Sequence, residues 1–231
     1  MALRILSLGL LLALVAADTK FVDYVRQNYE ANINEELVKQ IQRELIASYT
    51  YQAYSSFFGR ADIALPGFKK FFSEASTEER EHAQKLIDYV NQRGGHAQFS
   101  ETDVSFSFYL FLLFFPFFNL VVLTQQGFFF QICEFLRTKS SNECGPSFDG
   151  QYGLQAMEDA LALERFVNQK LLDLHGLADT AGDAHLTHVL EHEFLEEQVS
   201  SIRELAGFVT RLRSFKTNYA LGEYMFDQKL Q

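Results

Sequence analysis

"EEREHAQKLIDYVNQRGG", residues 78–95, is the stretch that decides the fold. Its apolar positions Leu86 and Val90 continue a line begun by Phe72 and Ala75, at steps of three and four residues, and Glu79 and His82 fall on the same line. That spacing predicts an amphipathic helix over residues 67–95, with polar side chains standing where core residues belong. Pro66 suits the first helical turn, and Gly94-Gly95 suits a helix C-terminus.

Working outward, three more long helices are predicted. "NINEELVKQIQRELIASYTYQAYSSFFGR" (32–60) places Leu37, Ile41, Ser48 and Ser55 on one stripe with Glu44 and Tyr51, and Asn32 with Glu35 reads as a capping pair at its start. "YGLQAMEDALALERFVNQKLLDLHGL" (152–177) aligns Met157, Leu161, Glu164, Asn168 and Leu171. "DAHLTHVLEHEFLEEQVSSIRELAGFVTRLR" (183–213) aligns Leu190, Phe194, Gln198 and Ile202, and "ALGEYMFDQKL" (220–230) adds a short fifth helix. The fold class is all-α, a four-helix bundle with a long crossover between the second and third helices. That crossover spans nearly sixty residues, whereas helix connections in bundles usually take about two to eight.

With 231 residues, 48% of them hydrophobic, the chain can bury one substantial core. The formal net charge of -10 argues against a nucleic-acid backbone as partner and favours cations.

Every predicted long helix carries a metal-competent side chain on its inward stripe: Glu44 and Tyr51, then Glu79 and His82, then Glu164, then Gln198. Carboxylates in an apolar core are costly unless a cation neutralises them, so their convergence implies a cation. Glu79 and His82, three apart, share a helix face and can offer a carboxylate oxygen and an imidazole nitrogen to one ion, with Glu79 free to bridge to a second. Oxygen-rich ligation with a single imidazole suits iron or manganese better than zinc.

The segments "RELIASYTYQAY", "EEREHAQKLIDYVNQRGG", "AMEDALALERFVNQKLLDLH" and "FLEEQVSSIREL" resemble ferritin, in the same order and across nearly all the chain outside residues 104–153. The resemblance implies a ferritin-like di-iron bundle and the catalytic, heavy-chain-like pattern: Glu44, Glu79 and His82 at a first iron, Glu79 and Glu164 at a second, Gln198 supporting the second, and Tyr51 hydrogen-bonding nearby. It implies oxidation of Fe(II) by dioxygen and homo- or hetero-oligomeric assembly into a hollow shell of 24 subunits that stores ferric iron. Glu78, Glu81 and Glu197 stand beside the ligands as candidate entrance or nucleation carboxylates, and Gln84 stands where a catalytic chain often has another acid. Of the histidine-rich start of the fourth helix, with His185, His188 and His192, ferritins would place His188 and Glu191 in a threefold ion channel. His188 there replaces an acidic residue, which makes cation attraction pH-dependent.

Two segments fall outside the bundle pattern. Residues 1–17 have Arg4, an apolar run from Ile5 to Val15 and small residues Ala16 and Ala17, the pattern of a secretory signal peptide ahead of a ferritin-like domain over 18–231. That pattern matches the secreted ferritins of invertebrates and predicts an oxidising, secretory compartment. Residues 104–131, "VSFSFYLFLLFFPFFNLVVLTQQGFFFQ", interrupt the crossover with an apolar run holding ten phenylalanines. Its length suits a membrane span, although Pro116 and Asn119 sit inside it, and such a span would give a membrane-associated isoform. As a packed core element it has no periodicity. The favoured reading is an unspliced intron: Val-Ser is encodable as a splice donor, the Phe- and Leu-rich run as a pyrimidine tract, the closing Gln as a splice acceptor, and the segment length preserves the frame. Cys133 and Cys144 follow it, either as a disulfide or as two free thiols.

Overall fold

The computed structural model describes residues 24–97, 152–216 and 218–231. They form α1 (Ala31–Phe58), α2 (Pro66–Gln92), α3 (Tyr152–Thr180), α4 (Ala184–Leu190), a π-helical turn (Glu191–Leu195), α5 (Glu196–Arg213) and α6 (Tyr219–Leu230), with no strand among the described residues. The leader at 1–17, the apolar insertion at 104–131, Cys133 and Cys144 lie outside them. No described helix is long and apolar enough to cross a membrane.

The helices are where the periodicity put them, with two corrections at the ends. Asn32 and Glu35 do not cap α1. The helix begins a residue earlier, behind Glu30, which has extended backbone and makes no side-chain cap. The third helix also runs past Leu177 to Thr180, because Ala178 packs fully into the core. Pro66 does open α2, and α2 ends at Gln92 with Gly94 at φ +72°, a left-handed conformation that glycine adopts without steric cost.

α1 packs closely along α2, and α3 along α5, with α1 also against α3. Serines set the α1–α2 approach: Ser48 Oγ donates to Ser76 O at 2.6 Å and Ser76 Oγ donates to Ser48 O at 2.8 Å. A reciprocal pair of small residues lets the backbones come near while leaving no buried hydroxyl unpaired. Ile33, Leu37, Ile41, Phe58, Phe68, Phe72, Leu86, Met157 and Leu171 fill the centre with at most 1% exposure, each contributing about 1.5–3 kcal/mol by burial.

The fourth predicted helix is one rod interrupted by the π turn at Glu191–Leu195, with Leu190 and Glu196 on either side still in right-handed helical geometry. In an unbroken α-helix Leu190 and Gln198 would lie roughly 80° apart around the axis. The extra residue in the π turn rotates them back onto one line, so Leu190, Phe194 and Gln198 are all buried. The turn is thus what aims Gln198 inward.

Carboxylates from α6 close the ends of two other helices. α2 has no side-chain cap of its own; instead Asp227 Oδ1 accepts from Gly67 N at 2.7 Å and Phe68 N at 3.0 Å. Glu223 Oε1 accepts from Gly153 N at 2.7 Å at the start of α3. The fit is tight: a Cβ on Gly67 would stand 2.0 Å from Asp227 O. Phe226 seals the same junction against Phe68 and Phe208, with ring centroids at 5.7 and 5.2 Å.

A buried carboxylate on two N-terminal amides is worth about 1–2 kcal/mol. Asp227→Ala is therefore expected to lower the thermal midpoint of the protein in scanning calorimetry, while Tyr224→Ala, on the exposed face of the same helix, leaves it within experimental error.

Candidate metal centre

Four helices deliver the predicted ligands to one place. Glu44 comes from α1, Glu79 and His82 from α2, Glu164 from α3 and Gln198 from α5, each no more than 7% exposed. Ligand atoms of Glu44, Glu79 and His82 all lie within 4.8 Å of one another. Glu164 is tied to the group from both sides: Tyr51 OH donates to its Oε1, and Gln198 Nε2 donates to its Oε2 at 2.9 Å.

The oxygens face one another with too few donors. Glu44 Oε2, Glu79 Oε2 and Gln198 Oε1 are buried and accept no hydrogen bond. His82 Nδ1, at 3.6 Å from Glu79 Oε2, is too far to supply one. Three unsatisfied buried oxygens in a site that also holds an imidazole fit a cation, which would satisfy them together. Burial drives the Glu44 carboxyl well above the usual carboxylate range, and repulsion from Glu79 adds to it. Burial does the same to Glu79, reinforced by Glu164. The Tyr51 phenol is likewise pushed well up, by burial first and then by Glu164, so it stays protonated and donates.

Sequence reasoning missed part of the support. Gln40, one turn before Glu44, donates through Nε2 to Glu44 Oε1 at 2.7 Å and fixes that carboxylate; its place four residues before Glu44, on the same helix face, was the available signal. His82 Nε2 lies 3.1 Å from Glu197 Oε2, and Phe194 meets the imidazole edge-on at 5.7 Å. A cation held on Nδ1 would leave Nε2–H to donate to Glu197 and so orient the ring.

Other candidates stand outside this group. Glu78 and Glu81 are exposed, and burial, with Glu197 next, still raises the Glu78 carboxyl. Glu78 borders a cavity of about 960 Å³ between α2, α5 and α6 that reaches Glu79, His82, Glu164 and Gln198, so the centre is open to ions from outside. The histidine-rich region is separate. His188 and His192 are exposed with rings 4.4 Å apart, Glu191 Oε1 pairs with His175 Nε2 at 2.8 Å, and His185 stacks on Tyr89.

A profile of the ferritin-like domain family matches residues 34–115 and 117–215. The chain is 53% identical to "Yolk ferritin" of Lymnaea stagnalis over 213 residues, covering 90% of this chain and 89% of that one. It is 40% identical to "Soma ferritin" of the same species, covering 90% and 95%. Identity to "Ferritin heavy chain" of Echinococcus granulosus is 38%, covering 89% and 94%.

Raised carboxyl pKa values fix the direction of pH effects. In the metal-free protein Glu44 and Glu79 hold protons above the ordinary value of 4.5, so the stability this adds is present below pH 4.5 and is lost as pH climbs through the raised values. A divalent cation must displace these protons, and its affinity rises with pH over the same range. Anaerobic titration calorimetry with Fe(II) over a pH series above 4.5, in buffers of different ionisation enthalpy, is expected to show net proton release that falls as pH rises. Heats that do not depend on the buffer would contradict the protonated carboxyls.

Proposed function

The chain belongs to the ferritin family, proteins that bind and store iron in multi-subunit shells, and from that footing we propose that it is a catalytic subunit oxidising Fe(II) with dioxygen at a di-iron centre. The observation that carries this reading is the convergence of Glu44, Glu79 and His82 within 4.8 Å in a buried volume where oxygens lack donors. A shell subunit without catalysis has no need of a buried, mutually repelling carboxylate set, which costs stability unless ions fill it.

In this reading Fe(II) is the substrate. Glu44, Glu79 and His82 hold one ion, Glu79 and Glu164 hold the other, and Gln198 turns Oε1 toward the second. When bound, the two ions each give one electron to dioxygen. The chain itself supplies negative charge in a dry site, where it acts more strongly than in water. Gln40 and Glu197 hold Glu44 and His82 in position, and Tyr51 donates its hydrogen bond to Glu164, adjacent to the reacting ions, where it serves as an electron donor. Glu78 and Glu81 attract cations toward the cavity mouth, and His188 with Glu191 lines a channel in an assembled shell of 24 subunits.

Localisation follows the leader. Residues 1–17 are a secretory signal peptide cleaved near Ala17, and the mature subunit is secreted. Greater identity to the "Yolk ferritin" than to the "Soma ferritin" of Lymnaea stagnalis supports an iron store of the yolk type. Residues 104–131 are an unspliced intron, absent from the working protein.

Glu79→Ala and His82→Ala are each expected to slow oxygen-dependent Fe(II) oxidation by at least about 10–100-fold, the usual cost of disturbing a metal site, with shell assembly retained in size-exclusion chromatography. Wild-type rates in either variant would favour a non-catalytic shell subunit that works beside an active partner. Sequencing the transcript across the codons for Asp103 and Ile132 is expected to find them joined. Abundant transcript retaining the segment would favour the membrane-associated isoform.

A further inference from the structure

Three residues along α1 from Tyr51, a second buried tyrosine repeats its arrangement. Tyr54 is 1% exposed, and its OH donates to Asp159 Oδ2 at 2.6 Å, as the Tyr51 OH donates to Glu164 Oε1. Both acceptors lie on α3. A single ring joins the two phenols: the Phe72 centroid is 5.9 Å from that of Tyr51 and 5.0 Å from that of Tyr54. Phe72 itself is fully buried, so both tyrosine rings meet one aromatic side chain in the core.

We propose that Tyr54 is a redox tyrosine, paired with Asp159 as its proton acceptor, which returns an electron through Phe72 to Tyr51 after Tyr51 has been oxidised at the iron centre. The proposal rests on the ferroxidase reading, which supplies dioxygen as the oxidant. Dioxygen takes four electrons and four protons to become two waters. Two Fe(II) give two of the electrons and the two tyrosine oxidations give the other two; the phenol protons stay on their carboxylate partners, so the four protons that make water come from solvent. Tyr51 loses its electron to the oxidant and its proton to Glu164. One electron then moves from Tyr54 to the Tyr51 phenoxyl, the Tyr54 proton passes to Asp159 Oδ2, and Tyr51 recovers its proton from Glu164. Tyr51 is thereby restored to donate again.

Several features favour this over a merely structural tyrosine. A phenol in a dry core can lose an electron only if its proton leaves with it, since the cation would be desolvated. Burial first, and Asp159 next, hold the Tyr54 phenol well above its ordinary value, so it is protonated and carries the hydrogen bond. Asp159 is half-buried, and its other oxygen accepts from Gln155 Nε2 at 2.9 Å, which steadies the carboxylate. Tyr54 touches no iron ligand through the Asp159 bond, so it acts through Tyr51 and is a relay rather than a catalytic residue.

The test uses the assembled full chain, with 3-fluorotyrosine placed at position 54 alone. The label keeps the phenol and the ring and adds a fluorine splitting to the electron paramagnetic resonance of any radical formed there. Samples mixed with Fe(II) and dioxygen are freeze-quenched, and ferric absorbance is followed in parallel. A split tyrosyl signal is expected in the labelled protein. In unlabelled variants, the later-forming radical should be lost in Tyr54→Phe and Asp159→Asn with the early Tyr51 signal kept, and both should be lost in Tyr51→Phe. If Fe(II) is oxidised with dioxygen while the labelled protein gives only an unsplit signal, the relay is overturned and the ferroxidase reading stands. If Fe(II) is not oxidised, the ferroxidase reading fails and the relay with it.

Discussion

Three carboxylates, Glu44, Glu79 and Glu164, are buried together at the middle of the bundle, and the structure around them is organised to hold acids that oppose one another's ionisation. Two of them keep protons well above the ordinary carboxylate range because burial and mutual repulsion make ionisation costly. Such a cluster holds its place only if its rods cannot drift apart. The reciprocal Ser48–Ser76 bonds pin α1 to α2, the Gln198–Glu164 bond pins α5 to α3, and the Tyr51–Glu164 bond pins α1 to α3. The energy spent on crowding the carboxylates is offset by the apolar layers on either side of them.

The same constraint explains the polar residues that do not touch the ligand cluster as acids. Gln40 steadies Glu44 and Glu197 orients His82, so that each ligand presents a chosen atom. Here donors outside the cluster fix the ligands while Glu44 Oε2, Glu79 Oε2 and Gln198 Oε1 stay unsatisfied. The cavity between α2, α5 and α6 supplies the approach, with exposed Glu74 and Glu78 at its margin.

At the far end of the bundle, α6 is more than a terminal appendage. Asp227 and Glu223 satisfy the orphan amides that open α2 and α3, and Phe226 closes the aromatic layer of Phe68 and Phe208. α2 carries Glu79 and His82, and α3 carries Glu164, so α6 holds the roots of the helices that deliver the buried cluster. The link from α6 to the centre is mechanical and runs through helix ends, since α6 itself contributes no ligand.

The helices and the burial of the metal-competent side chains on α1, α2 and α3 were legible in the sequence because both depend on spacing. Steps of three and four put Leu37, Ile41, Glu44 and Ser48 on one face whatever surrounds them, and every metal-competent residue read on an inward stripe is buried. What spacing could not give was anything set by contact between segments distant along the chain. The Asn32–Glu35 cap was read from a local pattern, yet the α1 start carries no side-chain cap, while α2 is capped by Asp227, 160 positions away. Periodicity treats the fourth helix as unbroken, and only packing against α3 calls for the π turn that aims Gln198 inward. Likewise Tyr54 and Asp159 are ordinary residues in the sequence, 105 positions apart, and become a pair only because α1 and α3 lie side by side. The sequence by itself determined which faces are buried and which chemistry they carry; the tertiary structure decided which atoms meet, because hydrogen bonds and ion sites depend on separations between helices that no pattern within one helix records.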